Sequence, residues 1–354
     1  MPTLNYLEAG GSPFEMGRTL GRFGAAAMQD YARHSPAWAS VMHHRGTPAA
    51  AAMSALVRSR FPRIWDELQG LATGLELPLE DVFLWNCRGD LWAMAPDGCT
   101  TVQESTGTLR RITHNEDGDP AFAGHCAIAE CTVEGSVPFA SFVYPGSLPG
   151  HTFAVTDGGL AMTVNNLRCL NVRPGVPRMV LTRALLEAAS LQDVRALLAS
   201  NERAGGFHLT VAHRASPGLS SVEFSSGACS IVEIEGRRLH ANHALHSSLR
   251  DLPQIVTGSS RHRQERGDAL LAEDGATIDP LRLLADGSDA SFPILRAAPD
   301  DSDAENTMAT ADIRIVAGAS HIEWDVYEHP ARPPRFHMID GHASTEKSQR
   351  ARPA

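Results

Sequence analysis

Apolar side chains recur every three to five positions through the first third of the chain, a spacing typical of amphipathic helices. This pattern predicts helices over residues 14–33 and 50–72. Pro62 should kink or divide the second helix, because proline lacks the amide hydrogen that a helix interior needs. A third helix is predicted from Pro78 onward, so residues 1–98 are expected to be mainly helical.

From Cys99 onward the pattern changes to short apolar strands separated by turn residues. Hairpins are predicted around turns at 105–107, 134–136, 157–159 and 317–319. Further strands are expected over 207–211, 221–224 and 229–234, and helices after Pro177, after Ser190, and over 260–272 and 280–285. The tail after Pro330 is expected to be disordered at its end. Helices and antiparallel strands in separate blocks predict an α+β layered fold, and the lack of repeats and linkers predicts one structural domain.

Composition and charge limit the classes of function. The 354 residues are 43% hydrophobic and 20% charged, as in an ordinary soluble globular protein. The formal net charge of −10, without a stripe of lysine and arginine, argues against a nucleic-acid partner. The first residues lack the basic and apolar segments of a signal peptide, and no apolar run of membrane-spanning length follows. We therefore expect a cytoplasmic protein with no membrane partner.

The six cysteines form no C-x-x-C pair, which argues against both a disulfide framework and a zinc knuckle. Five of them are expected to be small buried side chains. Cys99 differs, because it directly follows Asp97-Gly98 and opens the first predicted strand. A lone cysteine in such a place is more often structural. The same arrangement also suits a protein that cuts its own backbone and exposes Cys99 as a new N-terminus.

A free N-terminal cysteine carries a thiol nucleophile and an α-amine on one residue. The ordinary pKa of that amine, about 7.7 to 8.0, lies near working pH, so the amine can act as the base for its own thiol. Gly98 is expected before Cys99 because glycine tolerates unusual backbone angles at the least steric cost. Gly98 and Cys99 are therefore the predicted site of autoproteolysis.

Further motifs follow Cys99 along the chain. They are Asn115-Glu116-Asp117, Val164-Asn165-Asn166, Glu223-Phe224-Ser225 and His240-Ala241-Asn242-His243. With Asp97-Gly98-Cys99-Thr100-Thr101 and the opening Gly11-Ser12-Pro13-Phe14-Glu15-Met16-Gly17, their order and spacing resemble the fungal isopenicillin N acyltransferase (acyl-coenzyme A:6-aminopenicillanic acid acyltransferase) family of N-terminal nucleophile hydrolases. Bile-salt hydrolases and penicillin V acylases are more distantly similar. The resemblance extends from about residue 10 to about residue 330.

This resemblance implies both a fold and a processed chain. The fold would be the four-layer αββα sandwich of N-terminal nucleophile hydrolases, in which the nucleophile begins a central strand. Cleavage between Gly98 and Cys99 would give an α fragment of residues 1–98 and a β fragment of residues 99–354 that stay associated. Whether these αβ heterodimers assemble into a homo-oligomer is left open.

The resemblance also implies roles for individual residues. Cys99 would be the nucleophile, Asp117 would hold and orient the α-amine, and Asn242 would donate its amide hydrogen to the oxyanion. The residues expected to bind substrate are His114, Asn115, Asn165, Asn166, Arg168 and His243. Ordinary explanations stay open, since Asp117 could cap a turn and the two adjacent asparagines could end a strand.

Departures from the family's pattern concern the substrate. Glu116 replaces the aromatic residue of the usual Asn-Trp-Asp motif, and His114 stands where bile-salt hydrolases carry an arginine. The family's arginine before the last hairpin is missing, because this region contains only Asp303, Ala304 and Glu305. We therefore expect a substrate other than a penicillin.

The leading hypothesis is a self-processing cysteine amidohydrolase or acyltransferase that needs no cofactor. It would cleave a linear amide C–N bond of a small N-acyl compound through a thioester. One alternative is a binding protein of the same fold that never cuts itself. Another is a metal-dependent hydrolase that uses His240, His243 and His246, but these would share a face only on a helix. The segment is predicted as strand and loop, so no metal is expected.

Overall fold

Two β-sheets form in the part of the chain that the computed structural model describes, residues 3–95, 97–200, 202–273, 277–297 and 303–344. The first sheet has eight strands in the spatial order β1 (Asn5–Gly11), β4 (Ala127–Val133), β5 (Phe139–Val143), β6 (Phe153–Thr156), β7 (Leu160–Asn166), β8 (Phe207–His213), β9 (Leu219–Phe224) and β10 (Cys229–Glu233). The second has seven, in the order β11 (Gly236–His240), β2 (Asp97–Thr106), β3 (Leu109–Gly118), β12 (Asn306–Val316), β13 (Glu323–Tyr327), β14 (Phe336–Ile339) and β15 (His342–Ala343).

Helices flank these sheets. Those in the described residues are α1 (Pro13–His34), α2 (Pro36–Met42), α3 (Pro48–Arg60), α4 (Pro62–Leu75), α5 (Leu79–Trp85), α6 (Arg88–Leu91), α7 (Arg178–Leu185), α8 (Leu191–Ser200), α9 (Gly258–Glu273) and α10 (Pro280–Leu284), with a 3₁₀ turn at Pro120–Phe122. As the sequence pattern predicted, Pro62 divides the second helical stretch, because α3 ends at Arg60 and α4 begins at Pro62. None of the helices in the described residues combines the length and apolar composition that a membrane span requires.

The N-terminal helices pack against each other through glycines. Helix α1 begins at a capping box, in which the Ser12 hydroxyl accepts from the Glu15 amide at 3.3 Å and the Glu15 carboxylate accepts from the Ser12 amide at 3.0 Å. Where α1 crosses α4, a Cβ on Gly17 or Gly70 would overlap the backbone of the other helix. The two helix axes can therefore approach closely only because these positions lack side chains.

The two sheets pack face to face, with β2 of the second sheet against β7 of the first. Helices α1 and α8 contact the first sheet, and α9 and α10 contact the second. Large apolar side chains such as Phe139, Phe153 and Trp324 are fully buried in the main core. This α+β arrangement is compatible with the sandwich that the motifs suggested, and it places β2 at the inner face between the sheets.

The structure differs from the predicted elements at both ends of the chain. Residues 5–11 form β1, an edge strand parallel to β4, where no strand was predicted. An edge strand needs no apolar alternation, and Tyr6 and Glu8 in β1 are largely exposed. The sequence after Pro330 contributes β14 and β15, in which Met338 is the fully buried side chain. The predicted disorder at the end of the tail concerns residues 345–354, which lie outside the described residues.

Candidate active site

The hairpin of β2 and β3 brings the predicted nucleophile beside two side chains of the facing strand. Its tight turn sets the register so that Cys99 pairs with Glu116 and Thr101 pairs with His114. Alternate residues of a strand share one face, and Thr101 contacts β7, so all four side chains face the first sheet. Cys99 Sγ lies 3.7 Å from Glu116 Oε2, which lies 3.1 Å from His114 Nε2. All four residues are buried.

Two polar side chains from outside the hairpin hold the backbone of Cys99. The Cys99 amide donates to Asn242 Oδ1 at 2.9 Å, and the Cys99 carbonyl accepts from Arg263 Nη1 at 2.7 Å. Arg263 Nη2 also donates to Asn242 Oδ1, at 2.8 Å. Because an arginine can only donate, this contact identifies the end of the Asn242 amide that is the oxygen. The amide and the carbonyl of Cys99, the residue that follows the bond to be cut, are thus both held by hydrogen bonds.

Asn242, the predicted oxyanion donor, turns its oxygen toward the Cys99 amide in the uncut chain. Its Nδ2 donates to the carbonyl of Asn166 at 3.2 Å, and its backbone amide donates to Ser260 Oγ at 2.9 Å. The side-chain amide nitrogen of an asparagine carries two hydrogens. The second hydrogen of Nδ2 is the one that the predicted oxyanion role would use.

Asp117 lies on the other face of β3 from Glu116. It pairs with Gly98 across the hairpin and is fully buried inside the strand, so the alternative that it caps a turn is wrong. Its Oδ1 accepts from Thr307 Oγ1 at 2.6 Å, and its Oδ2 lies 4.0 Å from Arg263 Nη1. Asp117 therefore lies opposite Gly98, the residue directly before the Cys99 nitrogen that cleavage would convert to the α-amine.

Gly98 is required by its neighbours rather than by its backbone angles. It lies in strand β2 and has no left-handed φ, so a left-handed backbone conformation does not account for the glycine. A Cβ at this position would overlap Glu305 Oε2, and it would lie 3.4 Å from the Cβ of Asp117. Glu305 is itself held by Arg168 Nη2 at 2.8 Å. Gly98, the residue before the proposed cleavage point, is thus packed against the buried ion pair of Glu305 and Arg168.

The predicted substrate-binding residues separate into three groups. His114 and Asn165 lie close to the thiol on the inner face of the sheets, and Asn166 holds Asn242. Arg168 reaches the site through Glu305 and also donates to the Ala95 carbonyl at 2.8 Å. Asn115 and His243 have other contacts: Asn115 Nδ2 donates to the Leu284 carbonyl at 2.9 Å, and His243 Nδ1 lies 2.8 Å from Ser260 Oγ.

The histidines of the metal-hydrolase alternative do not converge. His240 Nε2 lies 2.9 Å from Glu223 Oε1, whereas His246 Nε2 lies 3.0 Å from Ser221 Oγ. In the described residues, the one group of three or more candidate ligands consists of Cys99, His114 and Glu116, whose ligand atoms lie within 4.8 Å of one another. Thiolate, imidazole and carboxylate form a donor set that zinc can use.

Burial keeps the histidines near the thiol uncharged. It lowers the pKa of His114 to about 3 and that of His243 to about 4, because the interior disfavours the imidazolium. Burial, with a smaller contribution from the neighbouring His240, also lowers the pKa of His208. Burial raises the pKa of Glu305 to about 7 against the opposing attraction of Arg168. At neutral pH His114, His208 and His243 therefore act as hydrogen-bonding groups.

Residues 102–326 match the protein family described as acyl-coenzyme A:6-aminopenicillanic acid acyl-transferase. The chain belongs to this family. A member from Emericella nidulans, the 40 kDa form of acyl-coenzyme A:6-aminopenicillanic-acid-acyltransferase, is 25% identical over 321 residues, which cover 84% of this chain and 86% of that protein. The family resemblance predicted from the motifs is thereby confirmed.

A second relative extends the range of reactions. The beta-alanyl-dopamine/carcinine hydrolase of Drosophila melanogaster is 27% identical over 157 residues, which cover 39% of this chain. The matched region spans 41% of that hydrolase. Acyl transfer and hydrolysis are thus both represented among the family relatives of this chain.

Three residues of the site were not assigned a role from the sequence. Glu116 stood out only as a departure from the family's motif, although the two-residue turn of the hairpin places it opposite Cys99. The same register places Thr101 opposite His114. Nothing in the sequence of α9 indicates that the side chain of Arg263 is fully buried against Cys99.

The packing of Gly98 gives a first prediction. In the uncut Cys99→Ala background, a further Gly98→Ala change should lower the free energy of unfolding by about 1 to 3 kcal/mol, because the new methyl group displaces the buried Glu305 carboxylate. Denaturant unfolding measures this difference. Gly107→Ala is the matched control, because a methyl group added there would meet no atom within 4 Å, and it should change stability by less than about 0.5 kcal/mol. Equal stability of the two variants would contradict the packing argument.

Proposed function

We propose that this protein is a self-processing N-terminal cysteine amidohydrolase or acyltransferase. The observation that carries the proposal is the position of Cys99, whose backbone is held on both sides by Asn242 and Arg263 at the head of a buried strand. Membership of a family whose relatives include an acyltransferase and a hydrolase supports the same reaction class. The substrate would be a small N-acyl compound with a linear amide bond, and no cofactor takes part.

Self-cleavage would precede turnover. Before cleavage the nitrogen of Cys99 is an amide and cannot serve as a base. Its thiol can still add to the Gly98 carbonyl and shift the preceding chain from nitrogen to sulfur, after which water hydrolyses the thioester. The hydrogen bonds of Arg263 and Asn242 to the Cys99 backbone favour this step, because they hold the peptide in one geometry.

Turnover would use the group that cleavage creates. The α-amine of Cys99 accepts the thiol proton, and Sγ attacks the carbonyl carbon of the substrate amide. Asn242 Nδ2 donates to the oxyanion, and Asp117 holds the amine in place. The leaving amine departs with a proton, and the thioester passes its acyl group to water or to an acceptor amine.

The two fragments would remain together after cleavage. Strand β1 of the α fragment is hydrogen-bonded along its length to β4 of the β fragment. Arg183 on α7 also pairs with the buried Glu67 of α4, at 3.0 Å. These contacts support an αβ heterodimer rather than release of the first 98 residues.

Replacement of the nucleophile gives the second prediction. Cys99→Ala should leave a folded single chain of about 38.0 kDa that neither cuts itself nor hydrolyses N-acyl amides, because it lacks the attacking sulfur. Intact mass spectrometry and circular dichroism measure cleavage and folding. Cys229→Ala is the control, since Cys229 is exposed and should be dispensable for both activities. Full amidase activity in Cys99→Ala would exclude the proposed nucleophile.

The oxyanion role of Asn242 gives the third prediction. Asn242→Ala should reduce kcat by roughly 100- to 1000-fold, because an oxyanion donor acts mainly in the transition state. Since Asn242 also holds the Cys99 amide, slower self-cleavage is expected, and kcat must be divided by the fraction of chains with a free N-terminal cysteine. A change confined to KM would make Asn242 a substrate-binding residue instead.

A further inference from the structure

The hydrogen bonds around Thr101 determine where the protons of this site lie. Asn165 Nδ2 donates to the carbonyl of His240 at 3.0 Å, so Asn165 Oδ1 faces Thr101. The distance from Thr101 Oγ1 to Asn165 Oδ1 is 2.7 Å, and an amide oxygen can only accept. The single hydroxyl proton of Thr101 therefore points at Asn165. This leaves the Thr101 oxygen as an acceptor for any other neighbour.

The other neighbour is His114, whose Nδ1 lies 2.8 Å from Thr101 Oγ1. Because the threonine proton is already engaged, His114 Nδ1 must carry a hydrogen and donate it. A neutral imidazole then has a lone pair on Nε2. Glu116 Oε2 lies 3.1 Å from that lone pair, so one proton must lie between the carboxyl and the imidazole. Glu116 and His114 thus share one proton and can accept one more.

The second proton can come from the nucleophile. Cys99 Sγ lies 3.7 Å from Glu116 Oε2, within the range of a thiol hydrogen bond to oxygen. The precursor has no α-amine on Cys99, so it needs a different acceptor for the thiol proton. We propose that Glu116 is the catalytic base of self-cleavage. His114, held by Thr101 and Asn165, is the residue that positions the Glu116 carboxyl group and takes the shared proton from it. This inference rests on the proposed function, because it concerns the cut between Gly98 and Cys99.

The proton transfers balance. Glu116 passes the shared proton to His114 Nε2, and its carboxylate takes the thiol proton as Sγ bonds to the carbonyl carbon of Gly98. The Gly98 carbonyl oxygen takes the negative charge, which balances the transient positive charge of His114. The tetrahedral adduct then breaks its C–N bond, and the nitrogen of Cys99 takes a proton back and becomes the new amine. Water hydrolyses the thioester and restores the thiol. The dyad ends with one shared proton, as it began, and the free amine can serve as base in later turnover.

Burial determines the charge of the groups around this pair. Among the described residues, the titratable groups that face the pair include Cys99 on β2, Cys126 just before β4 and His208 on β8. Burial raises the pKa of Cys126 and lowers the pKa of His208, so these two neighbours stay uncharged at neutral pH.

The first test compares self-cleavage rates of purified precursors over pH 5 to 8. The rate of wild-type cleavage should change little with pH, because Glu116 and His114 accept the thiol proton inside the folded protein. Glu116→Gln should be slower by about 100-fold or more, and its rate should rise about tenfold per pH unit, because it depends on thiolate formed in solvent. His114→Gln should show the same rise with pH. A structural role would lower the amount of folded protein without changing the pH profile.

The matched control is Glu104→Gln, which removes a buried carboxylate of the neighbouring strand β2. Glu104 pairs with Arg237 and does not face Cys99. It should cleave at the wild-type rate with the wild-type pH profile. Circular dichroism and thermal unfolding of each precursor show that it is folded. Wild-type kinetics in Glu116→Gln would overturn this inference and leave the proposed function intact, whereas a wild-type chain that never cuts would remove the proposed function itself.

A second test locates the protons directly. In the uncut Cys99→Ala protein labelled with ¹⁵N-histidine, the His114 resonances, assigned by their loss in His114→Gln, should show a hydrogen bonded to Nδ1, seen as a one-bond ¹⁵N–¹H coupling. A hydrogen on Nε2 alone would contradict the shared proton. Self-cleavage of the wild type should also be unaffected by EDTA. A rate that changes with EDTA would overturn the inference, because the thiol, imidazole and carboxylate would then be metal ligands.

Discussion

The guanidinium of Arg263 is the contact on which the geometry of the site depends. It is fully buried, and it donates to the Cys99 carbonyl, the Thr100 hydroxyl and the Asn242 side chain. A buried charge is costly unless it is paired and hydrogen-bonded. Burial accordingly lowers the pKa of Arg263, and the nearby Asp117 opposes that shift. Because one side chain satisfies several groups, helix α9, strand β2 and the segment after β11 must take up fixed relative positions.

This constraint separates two requirements of the proposed self-cleavage, the orientation of the backbone and the acceptance of the thiol proton. On one side, Arg263 and Asn242 hold the backbone of Cys99 by its own polar groups. On the other, the thiol meets Glu116 and His114 between the sheets. The residues that orient the Cys99 backbone are thus different from those that would accept the thiol proton.

The sequence predicted much of this arrangement, and its failures have physical causes. Hydrophobic spacing located the main helices and hairpins, because periodicity reports which face is buried. It missed β1, whose edge position requires little apolar alternation. The motifs pointed to Cys99 and Asn242, but the reason given for Gly98 was conformational, whereas the structure shows close packing against Glu305. Such a contact joins residues more than 200 positions apart, and a single sequence carries no signal for it. Glu116 could have been found, since hairpin register alone places it opposite Cys99.

The most direct test of this mechanism is the intact mass of freshly purified wild-type protein, followed with time at two concentrations. We expect a 38.0 kDa chain to give two fragments that meet between Gly98 and Cys99. The rate should be first order and equal at both concentrations, because the attacking thiol and the cut bond belong to one molecule. A folded chain that stays whole, or one that is cut at another bond, would contradict the central claim that Cys99 becomes the N-terminal nucleophile.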